Sequence, residues 1–258
     1  MTGTPGRMEG KRAIVTGAGS GVGAATAVRF ASEGARVGLV DVDEESLSAV
    51  TDRLAETGAD VRALPGDVTD EASIAAAITG AVDAWGGLDV VVANAGIQLF
   101  GQDAPAHQLD KQVWDRTLAV NLTGVFLTCK HAIAALLAGE GGSVIVTASP
   151  TSLYGLAPGF DAYSASKAGV LGLARVMAND YARDGIRVNA VVPGFTETPL
   201  VAERFADREG LQRRLESIPL GRAGQPEEIA GIMVYLGSDE SSYATGGVFT
   251  VDGGFTAV

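Results

Sequence analysis

Short runs of β-branched residues alternate with helical patterns along the whole chain of 258 residues. Several of these runs are apolar almost throughout, as expected for strands that are covered on both faces. Alternating strands and helices favour right-handed crossovers and a parallel sheet. The predicted strands cover residues 13–17, 36–41, 61–67, 88–96, 143–149, 187–194 and 248–254.

The helical patterns between these runs have sequence signals at their ends. Acidic residues open the stretch 43–58, Thr69 is the expected N-cap of 69–87, and Pro226 is the expected first residue of a helix within 225–238. No linker or repeat divides the chain. We therefore predict an α/β fold, with a single doubly wound, Rossmann-type domain over residues 1–258. About seven parallel strands would carry helices on both faces, after a flexible tail at 1–8.

Acidic residues outnumber basic ones, 31 to 19, which gives a formal net charge of −12. Nucleic acids and anionic membranes bind clusters of Lys and Arg, so this charge argues against both as partners. No apolar run approaches the roughly 18 residues of a membrane span, and the N-terminal residues lack the apolar core of a secretion signal. We expect a cytoplasmic protein with a small-molecule substrate.

The sequence does not favour a metal site or a nucleophilic cysteine or serine. Cys129 is the only cysteine, which excludes a disulfide within the chain, and its apolar helical surroundings predict a buried, inert thiol. His107 and His131 are not at a metal-ligand spacing, so no metal site is expected. The GxSxG motif of a serine hydrolase is absent from the sequence.

A glycine-rich turn, TGAGSGVG at residues 16–23, joins the first strand to a helix. Glycines in such a turn let backbone N–H groups approach a pyrophosphate at the helix N-terminus. Two dinucleotide fingerprints overlap here: GxGxxA beginning at Gly19, and TGxxxGxG beginning at Thr16. A P-loop is excluded because no Gly-Lys-Ser/Thr follows.

Asp41 ends the second predicted strand. A carboxylate at this place can accept hydrogen bonds from both ribose hydroxyls of adenosine and repel a 2′-phosphate. Asp41 could instead be only the first residue of an acidic loop. An S-adenosylmethionine site also combines a glycine loop with an acid, but it usually has an acid just before the glycines, where this chain has Thr16.

The motif YSASK places a phenol and an ammonium group four residues apart, at Tyr163 and Lys167, in a segment with helical spacing. Side chains four apart share one helix face, with Cβ atoms about 5–6 Å apart. A nearby cation favours the phenolate form, so we expect Lys167 to lower the pKa of Tyr163. Taken alone, the pair could also be two polar side chains at a helix surface.

TGxxxGxG and YxxxK in one chain of this length resemble the short-chain dehydrogenase/reductase family. The resemblance covers essentially the whole sequence, because further motifs follow in the family's order. They are GDV at 66–68, NAG at 94–96, VNLTGVF around Asn121, GSVIVTAS ending at Ser149, and PGFTET at 193–198. One departure is Ala93, where the family often has Asn.

The resemblance implies a role for each of four residues. Tyr163 would be the general acid/base that exchanges a proton with the substrate oxygen. Lys167 would hold the nicotinamide ribose and favour the phenolate, aided by the positive ring of the oxidised cofactor. Ser149 would hydrogen-bond the substrate oxygen. Asn121 would organise a water that relays protons to Lys167.

The resemblance also implies a dinucleotide cofactor. Asp67 and Val68 would hold the adenine ring, and Thr198 the nicotinamide carboxamide. NADP-preferring members often carry a basic residue at the position that Val42 occupies here. Val42 and Asp41 together therefore predict NAD as the cofactor. The implied cofactor-binding residues are Gly17, Ser20, Gly21, Val22, Gly23, Asp41, Asp67, Val68, Asn94, Ala95, Gly96, Tyr163, Lys167, Pro193, Gly194, Thr196 and Thr198.

The expected substrate pocket is apolar and aromatic, which suggests a medium-sized alicyclic or hydroxylated substrate. Pro150, directly after Ser149, removes a backbone donor and stiffens the substrate-facing loop. Residues 195–220 are expected to form a helical lid, with Leu200, Phe205 and Leu211 available to face the substrate. The predicted substrate residues are Gln98, Ser149, Pro150, Tyr154, Phe160 and Phe195.

Three functions remain open at this point. The leading prediction is an NAD-dependent oxidoreductase that interconverts a secondary alcohol and a ketone. The alternatives are an NADPH-dependent 3-oxoacyl-(acyl-carrier-protein) reductase and a non-catalytic dinucleotide-binding sensor. Small residues on helices within 109–138 and 162–184 predict a homotetramer; they are Ala132, Ala134, Ala135, Ala165, Gly169 and Gly172.

Overall fold

Seven parallel strands form one sheet in the computed structural model, which describes residues 6–155, 157–202 and 208–257. The strands are β1 (Arg12–Thr16), β2 (Arg36–Val40), β3 (Val61–Ala63), β4 (Val90–Ala93), β5 (Gly142–Thr147), β6 (Ile186–Pro193) and β7 (Val248–Val251). Their order across the sheet is β3-β2-β1-β4-β5-β6-β7. The predicted doubly wound α/β fold is confirmed.

Helices connect successive strands. They are α1 (Gly21–Ser32), α2 (Glu44–Ala55), α3 (Glu71–Trp85), α4 (Lys111–Leu118), α5 (Gly124–Leu137), α6 (Asp161–Tyr181), α7 (Arg208–Glu216) and α8 (Pro226–Gly237). A single π-helical turn, Ala119–Thr123, joins α4 to α5. Pro226 is the first residue of α8, as predicted, whereas the N-cap of α3 is Asp70 rather than Thr69. Thr69 instead donates its hydroxyl to Asp67.

Alternate residues of the central strands bury their side chains on opposite faces of the sheet. On one face Ile14 belongs to a core that contains Ile74 of α3 and Val170 of α6. On the other face Val15 belongs to a core that contains Phe30 of α1. Both cores are fully enclosed, which explains why the central strands are apolar almost without interruption.

The stretch from α4 to α5, Lys111–Leu137, is long and apolar enough to cross a membrane by length and composition alone, with a mean hydropathy of 1.5. Half of its most apolar window is buried inside the protein. Buried residues such as Val125 and Ile133 pack in the core against the sheet. This burial is what a core helix requires.

β1 and β4 are neighbours in the sheet although two strands separate them in sequence. The chain leaves β1 toward one edge of the sheet, and from β4 onward it runs toward the other. The loops after these two strands therefore diverge and leave a crevice at the carboxyl ends of the strands, where ligands bind in doubly wound sheets.

The prediction of a flexible tail at residues 1–8 is wrong for Arg7 and Met8. Met8 is completely buried and packs beside Phe30 and Gly237. Arg7 pairs with Glu33, 2.6 Å between Nη2 and Oε1. No sequence pattern indicates this burial, because Met8 precedes the first strand outside any periodic run. Residues 1–5 lie outside the described part of the chain.

Replacing Met8 tests whether this segment belongs to the core. Met8→Ala should lower the free energy of unfolding by about 2–5 kcal/mol, because it removes a buried side chain and leaves a cavity. Thermal melting of the protein without ligands provides the measurement. Val42→Ala is the control. Because Val42 is 71% exposed, the melting temperature of this variant should stay at the wild-type value. Equal melting temperatures for the wild type and Met8→Ala would restore the flexible-tail interpretation.

Candidate active site

A cleft of about 710 Å³ runs along the carboxyl ends of the strands. It brings together Ser149, Tyr163 and Lys167, and every predicted cofactor-binding residue lines it except Gly23. Asn121 is fully buried just behind the cleft wall. Residues separated by up to about 180 positions in sequence thus meet in one cavity, as the motifs predict.

The glycine-rich turn after β1 has the backbone that a phosphate-binding loop needs. Gly17 and Gly21 have φ values of +68° and +53°, in the left-handed region that favours glycine. A Cβ on Gly23 would lie 2.0 Å from the carbonyl oxygen of Gly17, so Gly23 serves close packing and does not line the cleft. Ser20, the N-cap of α1, makes no side-chain capping bond. The first N–H groups of α1 are thereby left for a ligand, and the turn fits a dinucleotide pyrophosphate.

Asp41 lies at the end of β2 with its carboxylate fixed by the backbone. Its Oδ2 accepts from the N–H of Gly19 at 2.8 Å, and its Oδ1 accepts from the N–H of Asp43 at 3.1 Å. Because Asp41 lines the cleft, these bonds hold one negative charge beside the glycine-rich turn. The bond to Gly19 joins the turn predicted to hold the pyrophosphate to the acid predicted to bind the adenosine ribose, a contact that no sequence pattern indicates.

The acid predicted at the adenine end is also held by its own loop. Asp67 accepts from both the N–H and the hydroxyl of Thr69, each at 2.8 Å. The N–H of Asp67 donates to Ser73 at 3.0 Å. Asp67 and Val68 both line the cleft, so the turn presents a fixed surface on the side opposite the catalytic residues.

A chain of hydrogen bonds connects β1, β4 and β5 beneath the cleft. The hydroxyl of Thr16 accepts from the N–H groups of Asn94 and Ala95, at 3.0 and 3.2 Å. The amide of Asn94 donates to the Thr16 carbonyl and accepts from the hydroxyl of Thr147, at 3.2 and 3.1 Å. The Thr147 carbonyl then accepts from the ammonium group of Lys167 at 2.8 Å. Thr147 was not among the predicted site residues.

Tyr163 and Lys167 lie one turn apart on α6, with the ammonium nitrogen 6.0 Å from the centre of the phenol ring. Burial raises the pKa of Tyr163 above its ordinary value, and a hydrogen bond with Ser149 lowers it in part. Burial also lowers the pKa of Lys167 to about 8. Burial thus decides the direction of the Tyr163 pKa shift in this structure, and the expected lowering of that pKa by Lys167 stays a prediction.

Ser149 has a defined hydrogen-bonding arrangement. Its oxygen accepts from the N–H and the hydroxyl of Thr151, at 3.4 and 3.2 Å. These two bonds use the oxygen's two lone pairs and leave the hydroxyl hydrogen to donate toward Tyr163. A donor at this position stabilises negative charge on the phenol oxygen, which explains the direction of its effect on the Tyr163 pKa.

Asn121 lies within the π-helical turn, a feature often found at functional sites. Its amide nitrogen donates to the carbonyl of Ile97 and to Ser166, at 2.9 and 3.2 Å, and its oxygen accepts from the N–H of Ile97 at 2.8 Å. Ser166 in turn donates to the carbonyl of Tyr163 at 2.7 Å. Asn121 therefore connects the loop after β4 to the backbone of Tyr163.

The wall beyond Tyr163 is largely aromatic. Gln98, Pro150, Phe160 and Phe195 line the cleft, as predicted for substrate residues. Phe160 contacts Phe100 edge to face, with ring centroids 5.7 Å apart. The guanidinium carbon of Arg214 on α7 lies 5.2 Å from the centre of the Phe195 ring. Sequence patterns gave no sign of four further lining residues, Phe100, Arg214, Ile218 and Phe255.

Two predicted substrate positions need correction. Tyr154 is 52% exposed and lines a neighbouring cavity of about 880 Å³, not the main cleft, because the loop after β5 turns it outward. In the expected lid, Leu200 lines the cleft but Leu211 does not. The third lid residue, Phe205, lies outside the described residues.

The remaining reactive groups lie away from this chemistry. Burial raises the pKa of the Cys129 thiol to about 12, which confirms the predicted inert cysteine. Within the described ranges, no group of three or more His, Cys, Asp or Glu side chains could hold a metal ion. Ser149, Tyr163 and Lys167 therefore bring a hydroxyl, a phenol and an ammonium group together in the cleft.

Comparison with known proteins gives matches over nearly the whole chain. A family model described as enoyl-(acyl carrier protein) reductase matches residues 17–256. A cis-4-hydroxycyclohexanecarboxylate dehydrogenase of Sinomonas cyclohexanicum is 44% identical, covering 95% of this chain and 96% of the relative. A 3-oxoacyl-(acyl-carrier-protein) reductase of Thermotoga maritima is 40% identical, covering 96% of this chain and 98% of the relative.

Solved structures agree with the sequence matches. A crystal structure of a short-chain type dehydrogenase/reductase from Mycobacterium marinum superposes with a TM-score of 0.91 at 36% identity, covering 97% of each chain. Members of this family are oxidoreductases that bind a nicotinamide dinucleotide, in agreement with the glycine-rich turn and the YxxxK pair in the cleft. The chain belongs to the short-chain dehydrogenase/reductase family.

Proposed function

We propose that the protein is an NAD-dependent dehydrogenase that interconverts a secondary alcohol and a ketone. The observation that carries the proposal is that Ser149, Tyr163 and Lys167 line one cavity, with the buried ammonium group of Lys167 held by the Thr147 carbonyl one helical turn from Tyr163. This arrangement can move one proton at a substrate oxygen held in the cleft. A non-catalytic sensor would not require it.

The proton-transfer steps follow from the residues themselves. Ser149 and Tyr163 line the same cavity, so the Ser149 hydroxyl can donate to a substrate oxygen that lies beside the phenol. Tyr163 accepts the hydroxyl proton of the alcohol during oxidation and returns it during reduction. The nicotinamide cofactor, when bound, supplies hydride transfer. Lys167 holds positive charge near the phenolate, and Asn121 keeps the backbone of Tyr163 in place through Ser166.

The Asn121 amide hydrogens are both used by protein acceptors, Ile97 and Ser166. Any water that Asn121 organises, as the family resemblance implies, must therefore bond to its side-chain oxygen or to its backbone. If Gly96 carried a Cβ atom, that atom would lie 3.3 Å from the side-chain oxygen of Asn121 and 3.3 Å from the ammonium nitrogen of Lys167. Both groups thus lie beside the same small residue, where a shared water could join them.

The cofactor proposed is NAD rather than NADP. The Asp41 carboxylate is fixed in the cleft by two backbone N–H groups, so it cannot easily turn away from a 2′-phosphate. Val42, the next residue, also lines the cleft and carries no charge. A 2′-phosphate near these residues would meet one negative charge and no cation from either of them.

The substrate proposed is a medium-sized alcohol with an alicyclic ring. The edge-to-face pair of Phe100 and Phe160 and the ring of Phe195 provide flat apolar surfaces beside Tyr163. The relative from Sinomonas cyclohexanicum is named for a substrate with a six-membered alicyclic ring. A six-membered alicyclic ring covers the faces of these aromatic side chains better than an extended acyl substrate does.

A 3-oxoacyl-(acyl-carrier-protein) reductase is the second candidate, favoured by the relative from Thermotoga maritima. Acyl carrier proteins are acidic and would need exposed basic residues on this enzyme. Lys130, the basic residue of α5, is paired with Glu71. A panel of alicyclic and acyclic secondary alcohols, their ketones and a 3-oxoacyl thioester, each assayed with both cofactors, separates the candidates.

We also propose a cytoplasmic homotetramer that binds neither nucleic acid nor membranes. Phe126 and Leu137 on α5 are 46% and 47% exposed, and Val176 on α6 is 58% exposed. Phe126, Lys130, Ala134 and Leu137 recur at helical spacing on one face of α5. Ala132, one of the small residues expected at the interface, is completely buried instead and belongs to the core.

Cofactor preference is the first prediction of this proposal. NAD should bind at least about tenfold more tightly than NADP, equivalent to about 1.4 kcal/mol. Asp41→Asn removes the charge while keeping an oxygen for the Gly19 N–H, so it should reduce the preference. Calorimetric dissociation constants for both cofactors and both proteins test this. Equal constants in the wild type would instead favour the acyl-reductase candidate.

Tyr163 provides the second prediction. Tyr163→Phe should keep the fold and the cofactor affinity but lower turnover by at least about 10²-fold, because it removes only the proton-carrying oxygen. Tyr181→Phe, the same change at the far end of α6, should retain wild-type turnover. Wild-type oxidation should speed up as the pH rises and then level off, because burial raises the pKa of the phenol that must be deprotonated.

Lys167→Met should behave differently from Tyr163→Phe, because Lys167 is also expected to hold the ribose. Cofactor affinity and turnover should both fall, and the rise of any residual oxidation rate should move to higher pH. Near-wild-type turnover of Tyr163→Phe on the preferred substrate would show that another residue moves the proton, and the proposed mechanism would then fail.

Assembly is tested by light scattering at micromolar concentration. The expected mass is four times that of the chain. Phe126→Asp should shift it toward smaller species, because a charge would be buried in a helix interface. A wild-type monomer would contradict the proposed tetramer.

A further inference from the structure

The helix that carries Tyr163 does not cap its own N-terminus. Its N-cap residue is Phe160, which makes no side-chain capping bond. The first N–H groups of a helix need acceptors from elsewhere. Asp103, in the loop between β4 and α4, supplies them: its Oδ1 lies 3.1 Å from the nitrogen of Ala162, and its Oδ2 lies 3.0 Å from the nitrogen of Tyr163. One bond is therefore made to the backbone of Tyr163 itself.

A carboxylate of α6 also bonds to the loop. Asp161, the first residue of α6, accepts from the N–H of Ala106 at 2.8 Å. Asp103 also accepts from the N–H of Ala104 at 2.9 Å, which fixes its own position in the loop. We call this exchange, Asp103 to α6 and Asp161 to the loop, the carboxylate clamp. It joins segments 55 to 60 residues apart in sequence.

The clamped loop also carries substrate-facing residues. Gln98 and Phe100 precede Asp103 and line the cleft, and Phe100 packs edge to face on Phe160, the residue just before α6. Asp103 itself does not line the cleft. The clamp therefore fixes the relative position of two walls of the cleft without contacting the reacting atoms.

We propose that Asp103 is a positioning residue for proton transfer, which holds the N-terminus of α6 so that the Tyr163 phenol meets Ser149 and the substrate oxygen. The inference rests on the proposed dehydrogenase function. A cap normally stabilises a helix wherever it occurs. Here it fixes the residue whose phenol must be aligned within a fraction of an ångström for transfer.

Asp103 is one of few charged groups near Tyr163 on the elements that pack against α6. On α6 itself, Lys167 and Asp161 share this end of the helix. The π-helical turn, β5 and the short turn Pro150–Ser152 contain no ionisable side chain. On α4, Lys111 and Asp115 pair with each other and Arg116 lines the cleft. On β6, Arg187 donates to the carbonyl of Leu236. Arg183 and Asp184 follow the far end of α6.

The charge of Asp103 gives the proposal a pH signature. A negative charge near a phenol opposes formation of the phenolate, so we expect the Asp103 carboxylate to hold the pKa of Tyr163 higher than it would be without that charge. Removing that charge lowers this pKa. Oxidation needs the deprotonated phenol, so the rise of its rate should move to lower pH in a variant that lacks the charge. A role in stability alone would not produce this shift.

The test compares Asp103→Asn and Asp103→Ala with the wild type. Asp103→Asn keeps one acceptor oxygen and loses the charge. For the preferred alcohol, kcat should fall at least about tenfold, since a small displacement of a catalytic group is costly. The dissociation constant for NAD should remain within about twofold, and the rise of the oxidation rate should move to lower pH. Asp103→Ala should lose more activity, because it loses both acceptors.

Asp110→Asn is the matched control. Asp110 caps α4 by accepting from the N–H of Gln112 at 2.7 Å, so the same substitution removes the charge of a helix cap away from Tyr163 and keeps one acceptor oxygen. It should lower the melting temperature by a similar amount while keeping kcat and the pH profile. An Asp103→Asn enzyme with kcat within twofold of the wild type, or with a reduced kcat and an unmoved pH profile, would overturn the proposal.

Amide hydrogen exchange separates the clamp from the dehydrogenase function on which it rests. Asp103→Ala should speed exchange at Ala162 and Tyr163 relative to the wild type. If the wild type oxidised no alcohol in the panel, the proposed function would fail while faster exchange would still support the clamp. Unchanged exchange at both amides would overturn the clamp whatever the activity.

Discussion

The buried ammonium group of Lys167 is the constraint on which the arrangement of this site depends. A charge removed from water needs an acceptor in a fixed position, and here that acceptor is the carbonyl of Thr147, the last residue of β5. Thr147 also bonds Asn94, which bonds Thr16. The alignment of β1, β4 and β5 therefore fixes where the charge lies. Since Lys167 lies one turn after Tyr163, the same bond orients α6 and directs the phenol toward Ser149.

Burial decides the resting protonation of this pair. At about 4 Å and an effective dielectric constant near 20, two unit charges attract by about 4 kcal/mol. The Lys167 nitrogen is 6.0 Å from the centre of the phenol ring; Lys167 is buried and Tyr163 is partly buried. Burial raises the pKa of Tyr163 and lowers that of Lys167, so each resists its charged form. The positive charge of an oxidised nicotinamide ring, when that cofactor is bound, would favour the phenolate.

Local patterns predicted what depends on local chemistry, and failed where distant segments meet. The strands, the glycine-rich turn and the YxxxK pair each follow from neighbouring residues, so the sheet and the contents of the cleft were predictable. The capping of α6 by Asp103 joins residues 59 and 60 positions apart, and no spacing rule indicates it. The outward turn of Tyr154 and the burial of Met8 likewise depend on packing by other parts of the chain. The pKa direction of Tyr163 depends on burial, which a motif does not specify.

The carboxylates around the cleft have a structural use in common. Asp41, Asp67, Asp103 and Asp161 all accept from backbone N–H groups, mostly in loops at the carboxyl ends of the strands. Such loops carry many N–H groups without partners in the sheet, and an ionised carboxylate is a strong acceptor for them. A carboxylate held in this way has little freedom to exchange protons with a substrate. These four carboxylates thus fix loops around the cleft, and the proposed acid/base chemistry is assigned to the phenol of Tyr163.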